Sequence, residues 1–463
     1  MEPMTIREIM EAVGGSLLGE FGDLNRAVSR VETDSRTIHP GSLFIPLVGE
    51  RFDGHAYINA ALEGGAAGCF TQRERDSYLP GKFYIKVKST HRALRDLAKY
   101  YKQKFPIPVV AITGSVGKTT TKDMVAAVLG EKYNVLKTEG NLNNDIGVPM
   151  TLLRLKPEHQ IAVLELGMNH AGEIDYLSAM VEPDAVLMTN IGDSHIEHFG
   201  SREKILEAKS EIFHHARQDA FVVINGDDPL LSTLPGRLPF SFTRIGAGEG
   251  LDYRAVDVES DGASRMTCRI VTPGGAFPVE IPALGDHMIY PTLMAAAVGE
   301  HFGLTHQQIA DGVLHFAPTK MRMNILHRGD GITILNDTYN ANPQSMRAAV
   351  QVLSGARGEY KVAVLGDMFE LGPLAPALHA GIGDYLGKAG IHCLVAVGEL
   401  AKHIYDAAKS AGVPECHYCP TKEAAKPVLD GLVRPNATIL VKASRGMAME
   451  ELVDYLLGIT KEA

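Results

Sequence analysis

The run Gly114-Ser115-Val116-Gly117-Lys118-Thr119-Thr120 holds the residue types that cradle a nucleoside triphosphate. Glycines let backbone N–H groups turn toward phosphate oxygens. A helix starting there adds the positive end of its dipole. Lys118 can reach the β- and γ-phosphates, and the Thr119 hydroxyl can ligate Mg2+. The general pattern G-x-x-x-x-G-K-[ST] would place a glycine at Ile112, so this loop is shorter than the pattern and its context must carry the assignment. That context is present. Residues 107–113 are apolar and β-branched and predict a strand, and residues 119–130 predict a helix. The alternative is a glycine turn that binds nothing, and Lys-Thr-Thr at a helix start speaks against it.

A phosphate loop needs a carboxylate to complete a metal shell. Glu165 closes an expected strand at residues 161–166, where a side chain faces the ligand side of a parallel sheet. An exposed strand-end glutamate is an equal alternative on position alone. His195 follows another expected strand, 184–189, and could face the same site, although a lone histidine is more often structural. Lys209 falls on an expected helix and, taken alone, is a solvated lysine.

The elements that must position these residues fall into three segments, as the 463-residue length suggests for about three domains. Residues 1–105 mix short strands and helices, with helical spacing at 5–13, strands broken by Pro40, Gly41 and Pro46 across 31–48, and a helix at 91–104. Residues 106–320 alternate strand and helix, with a further strand at 220–224. This predicts a parallel sheet covered on both faces. From 240 to 281 short strands with many turn residues predict an antiparallel edge, and a helix follows at 291–302. Residues 321–463 predict a second, Rossmann-like α/β unit with strands at 332–335, 361–365, 394–397 and 438–441. It lacks G-x-G-x-x-G after its first strand, which disfavours a dinucleotide. The fold class is therefore α/β in three domains.

The net charge of −10 excludes a broad nucleic-acid footprint. Five scattered cysteines point to a reducing compartment. The lone C-x-x-C at Cys416 and Cys419 has no second pair to complete a zinc site, so it is expected to be a strand near the surface. The mixed, charged start and the lack of an apolar run of about 20 residues predict a cytoplasmic protein without membrane insertion.

With these residues in view, the chain resembles the Mur ligases and folyl-polyglutamate synthases. The phosphate loop, the stretch Gly140-Asn141-Leu142-Asn143-Asn144-Asp145-Ile146-Gly147-Val148-Pro149, Glu165-Leu166-Gly167 and Lys209-Ser210-Glu211-Ile212 all fit. In the first segment Asp34-Ser35-Arg36, Pro40-Gly41-Ser42-Leu43-Phe44 and Asp53-Gly54-His55 resemble the family's uridine-diphosphate-binding domain. In the third, Asn336-Asp337-Thr338-Tyr339-Asn340-Ala341-Asn342-Pro343 and Leu365-Gly366-Asp367-Met368-Phe369-Glu370-Leu371-Gly372 look like the branch that adds D-alanyl-D-alanine. The Asp-Asn-Pro-Arg of the diaminopimelate-adding branch is absent.

The resemblance implies an ATP- and Mg2+-dependent ligase, a monomer, acting on UDP-N-acetylmuramoyl-tripeptide and D-alanyl-D-alanine through an acyl phosphate. It implies that Lys118 and residues 114–120 hold the ATP phosphates, and that Thr119, Glu165, His195 and a carbamylated Lys209 bind metal. Arg322 would lie near the γ-phosphate, with Asn336, Asp337, Tyr339, Asn340 and Asn342 where the third domain closes on the nucleotide. Ser35, Arg36, Asp53, His55, Asn141, Asn143 and Asn144 would hold the UDP-sugar end. One departure stands out. The family's Gly-x-His-Asn-x-x-Asn is here Gly285-Asp286-His287-Met288-Ile289-Tyr290-Pro291, which predicts that adenine contacts shift to Asn340 and Asn342. The rival classes are a sister ligase, a P-loop ATPase module driving a partner, and a non-catalytic nucleotide-sugar binder.

Overall fold

The computed structural model describes residues 1–49 and 52–458. They form two compact units: described residues within 1–111, 133–186 and 211–220 make the first, and those within 112–132, 187–210 and 221–458 the second.

In the first unit a five-stranded sheet has the order Ser16–Leu18, Phe83–Lys86, Gly68–Thr71, Leu43–Phe44, Val31–Glu32. Its first pair is antiparallel and the rest are parallel. Phe44, Ile58, Leu62, Cys69 and Tyr84 pack on one face of it. The expected strands of 31–48 shrink to two-residue pieces around a tight turn at Ser35–Thr37, because Pro40 and Gly41 interrupt the run. Helix Ile6–Val13 begins with a capping box in which Thr5 and Glu8 satisfy each other's backbone N–H groups. Helix Thr90–Gln103 begins on Ser89. Further on, strands Val135–Lys137 and Ile161–Glu165 run parallel. Backbone bonds from Ala162 to Pro108 and from Asp184 to Val109 set the start of strand Val109–Thr113 between them and strand Ala185–Met188.

In the second unit the end of that strand passes through the phosphate loop into helix Lys118–Gly130, whose face against the core is almost wholly buried. Strand Phe221–Asn225 pairs parallel with Phe242–Gly246, which pairs parallel with the start of Tyr253–Ser260. Only then does the sheet turn antiparallel, through Met266–Thr272 and Gly275–Ile281. The expected antiparallel edge thus starts one strand later than its turn residues suggest. Helix Ile289–His301 carries ten buried residues and no polar face, so it is enclosed.

The last sheet has the order Asn324–His327, Thr333–Asn336, Ala437–Lys442, Tyr360–Gly366, Cys393–Val397, Glu415–Cys419. It is parallel apart from its first pair. Cys416 and Cys419 stand on this edge strand two faces apart, since side chains alternate along it. Instead Cys393, Glu415 and His417 share one face with their donor atoms within 4.8 Å of one another. Glu415 is already engaged there: Tyr360 Oη donates to it at 2.6 Å and His417 lies at 2.9 Å. Burial pushes the Cys393 thiol up to about 12. No helix among the described residues is long and apolar enough to cross a membrane.

Candidate active site

The phosphate loop is shaped by two glycines in the left-handed half of backbone space, Gly114 at φ +148° and Gly117 at φ +84°. A Cβ on Gly114 would fall 1.9 Å from Thr189 Oγ1. Thr189 and Asn190, at the end of the neighbouring strand, hold the loop open from the side. Thr189 Oγ1 donates to the Val116 carbonyl at 2.6 Å, while Asn190 accepts from Val116 N at 2.9 Å and donates to its carbonyl at 2.9 Å. Ser115 Oγ accepts from Gly192 N at 2.9 Å. Lys118 Nζ donates to the Gly114 carbonyl at 2.9 Å, across the mouth of the loop. Gly114→Ala should therefore push Thr189 off Val116 and lose about 1–3 kcal/mol of stability. A lowered melting temperature together with weakened nucleotide binding would check this.

Arg322 arrives from the third segment. Its guanidinium stands 3.4 Å from Thr119 Oγ1 and 4.1 Å above the ring of Tyr339. Thr119 is buried, and Lys209, on helix Arg202–Ser210, is only 1% exposed, so it is not the solvated lysine that its sequence alone suggests.

Beside the loop lies a cavity of about 680 Å3, lined by Val116, Asn190, Asn225, Tyr290, Pro291 and Arg347 among others. That is the size of a ligand pocket. Tyr290 Oη donates to Asp227 at 3.2 Å, and burial holds its phenol protonated by pushing it up to about 12. Asn340 and Asn342, to which adenine contacts are expected to shift, do not line this cavity. Pro291 and its neighbour Tyr290 form part of its wall, while Met288 turns into the core and its carbonyl accepts from Thr292.

The other third-segment residues act on the protein first. Asn336 Oδ1 accepts from Thr338 Oγ1 at 2.7 Å. Asp337 pairs with buried Lys442 at 2.5 Å and accepts from Met323 N at 3.1 Å. The Asn340 carbonyl takes a second bond from Lys442. Asn342 caps helix Pro343–Gly355 and reaches Ser194 Oγ at 2.8 Å. His195 Nδ1 lies 2.7 Å from Glu370 Oε2, and this contact holds the Glu370 carboxyl below its ordinary value.

The first unit supplies its own clusters. Glu165 is 2% exposed, which removes the exposed-glutamate alternative, and it accepts from Asn143 Nδ2 at 2.8 Å. Asn144 Oδ1 accepts from Gly147 N at 2.8 Å, in the turn that precedes helix Gly147–Leu152, while Asn141 is exposed. His55 is a clamp: Nε2 accepts from Gln72 N at 3.1 Å, so Nδ1 carries the proton shared with Asp53 at 2.7 Å. His55's backbone and ring bonds draw the Asp53 carboxyl below its usual value, and Arg73 binds its other oxygen. Ser35 and Arg36 stand on a separate turn capped by Asp34, which Arg36 grips at 2.6 Å. Asn190, Tyr290, Glu370 and Lys442 were missed from sequence. Asn190 alone carried a signal, at the C-terminal end of a parallel strand.

A lysine-bearing glycine loop at a strand end, opening on a nucleotide-sized cavity, makes this a P-loop nucleotide-binding protein. The family models for the Mur ligase middle domain, the "Mur ligase, glutamate ligase domain" and the "Mur ligase family, catalytic domain" match residues 112–299, 321–445 and 27–102. A Bacillus subtilis UDP-N-acetylmuramoyl-tripeptide–D-alanyl-D-alanine ligase is 38% identical over 98% of both chains. A MurF from Acinetobacter baumannii superposes with a TM-score of 0.92 at 34% identity, over 99% of this chain and 100% of that one. A MurF from Thermotoga maritima in complex with ADP gives 0.82 at 27% identity, over 92% and 97%. The chain belongs to the Mur ligase family.

Proposed function

We propose that this chain is the ATP-dependent ligase that adds D-alanyl-D-alanine to UDP-N-acetylmuramoyl-tripeptide, making the pentapeptide precursor of peptidoglycan. The observation that carries the reading is likeness along the whole length: relatives bearing that activity in their names cover 98% of the chain.

The chemistry follows from the reluctance of a carboxylate to accept an amine. The tripeptide carboxylate attacks the γ-phosphorus of ATP. An O–P bond forms as the bond to the ADP oxygen breaks, leaving an acyl phosphate. The dipeptide amine then attacks the acyl carbon. A C–N bond forms, inorganic phosphate departs, and the amine gives up its proton. Lys118 and Arg322 neutralise charge on the transferred phosphoryl group. The acyl phosphate must be kept from water. In the three-part division 1–105, 106–320 and 321–463, the last part is the lid, and Tyr339, Asn340 and Asn342 belong to its closing loop.

The Thr119 hydroxyl and the Glu165 carboxylate are the oxygen donors that Mg2+ prefers, the His195 imidazole is a softer third donor, and no thiolate is among them. Thr119, Glu165 and His195 would hold it, and bound there it would neutralise phosphate charge. Lys209 is 1% exposed. Addition of its neutral amine to CO2, with one proton lost to solvent, would make it an anionic oxygen ligand. Asn336 and Asp337 support the nucleotide loop from behind, and Ser35, Arg36, Asp53, His55, Asn141, Asn143 and Asn144 serve the UDP-sugar end. We assign the chain to the cytoplasm as a monomer.

Phosphate release from ATP, with each peptide substrate omitted in turn, tests the assignment. Release that needs both substrates, with a UDP-pentapeptide detected by mass, is the expected result. Release with ATP alone would replace it by an ATPase module, and release with another amino acid in place of the dipeptide by a sister ligase.

A further inference from the structure

Glu370 has no role in the chemistry above, yet it sits against a residue that does. His195 and Glu370 are both non-glycine residues in the left-handed backbone region, each at φ +62°. Such conformations persist where the surroundings impose them. The surroundings of Glu370 are firm. Its loop leaves strand Tyr360–Gly366, and Asp367 Oδ1 accepts from Ala401 N at 2.7 Å. Met368 N donates to Nε2 of fully buried His379 at 2.9 Å, and Phe369 N to Ser444 Oγ at 2.8 Å. The other side of the contact is clasped as well. Asn342 holds Ser194, one residue before His195, and Gly372 packs so closely on Glu197 that a Cβ there would lie 3.2 Å from its Cγ.

The geometry points to Glu370 as the positioning residue of His195. Its carboxylate selects the tautomer with the proton on Nδ1 and leaves the lone pair of Nε2, on the opposite side of the ring, for a metal ion. The inference rests on the proposed role of His195 as a metal ligand. The approach is 2.7 Å, but the N–H is not lined up on the oxygen, so Nδ1 is a buried donor without a formed hydrogen bond. A small turn of the ring completes it. Carboxylate–histidine–metal pairs of this kind orient the ligand and raise its basicity. Glu370 also comes from the third segment while His195 comes from the loop after strand Ala185–Met188, so the same contact links docking of that segment to metal affinity.

The test is Mn2+ binding followed by electron paramagnetic resonance, on the full chain with a non-hydrolysable ATP analogue. Glu370→Gln should weaken Mn2+ about 10–100-fold, with analogue affinity in the absence of metal unchanged and Glu370→Asp recovering part of the loss. His195→Ala should weaken Mn2+ at least as much, and the double variant no more than His195→Ala alone. A contact that only docks the segments would lower the melting temperature and leave Mn2+ affinity at the wild-type value. That result, or additive losses in the double variant, overturns the proposal. A His195→Ala variant with unchanged Mn2+ affinity overturns it as well. No product is formed in this measurement, so failure of the assigned reaction is read separately, from the wild-type phosphate-release assay.

Discussion

Lys118→Met should abolish ligation while leaving the fold in place. The ammonium already spans the mouth of the phosphate loop on the Gly114 carbonyl, so no other group has to move for it to meet an incoming phosphate. In the assigned reaction it opposes charge on the phosphoryl group at the moment of transfer. Cations that act there are worth about 10^3–10^5 in rate. We expect a loss of that size in kcat for pentapeptide formation, measured by mass detection of the product. The melting temperature should stay near the wild-type value, because Thr189, Asn190 and Ser115 hold the loop independently of the lysine's bond to Gly114. A kcat within tenfold of wild type would move the phosphate contact elsewhere.

The parts of the fold that repeat a local rule were legible in the sequence. Residues 107–113 and 119–130 announced a strand and a helix because β-branched residues, two glycines and a Lys-Thr-Thr start fall in order, and they form Val109–Thr113 and Lys118–Gly130. The four inner strands of the last sheet were legible for the same reason, as short apolar runs between helical stretches. Burial was not. Lys209 lies on helix Arg202–Ser210, whose sequence REKILEAKS alternates charged and apolar residues and does not say that this lysine is the charged side chain enclosed with Ile205 and Leu206. Nor was pairing across distance legible. Nothing local in Leu365-Gly366-Asp367-Met368-Phe369-Glu370 says that Glu370 will meet a histidine 175 positions earlier. The cavity wall was not legible either: at the turn where the two family asparagines are missing, an aromatic ring and a proline line the space.

Lys442→Met should strongly destabilise the last segment. Lys442 closes strand Ala437–Lys442 with a side chain 2% exposed, and its ammonium is shared between Asp337 Oδ2 and the Asn340 carbonyl. Burial lowers the affinity of this amine for its proton, and the Asp337 charge restores part of it. The ion is therefore kept charged by its partner rather than by water. Removing it strands the Asp337 carboxylate, whose other bond is to Met323 N, in a largely enclosed place. Breaking a buried pair from one side costs about 3–5 kcal/mol, whereas replacing both partners is often nearly neutral. Denaturant midpoints should show Lys442→Met losing about that much, with Asp337→Asn/Lys442→Met recovering most of it. The double variant should still turn over more slowly than wild type, because Asp337, Tyr339 and Asn340 form one loop and Tyr339 carries Arg322 on its ring. Recovered stability with recovered kcat would instead show that the pair serves folding alone.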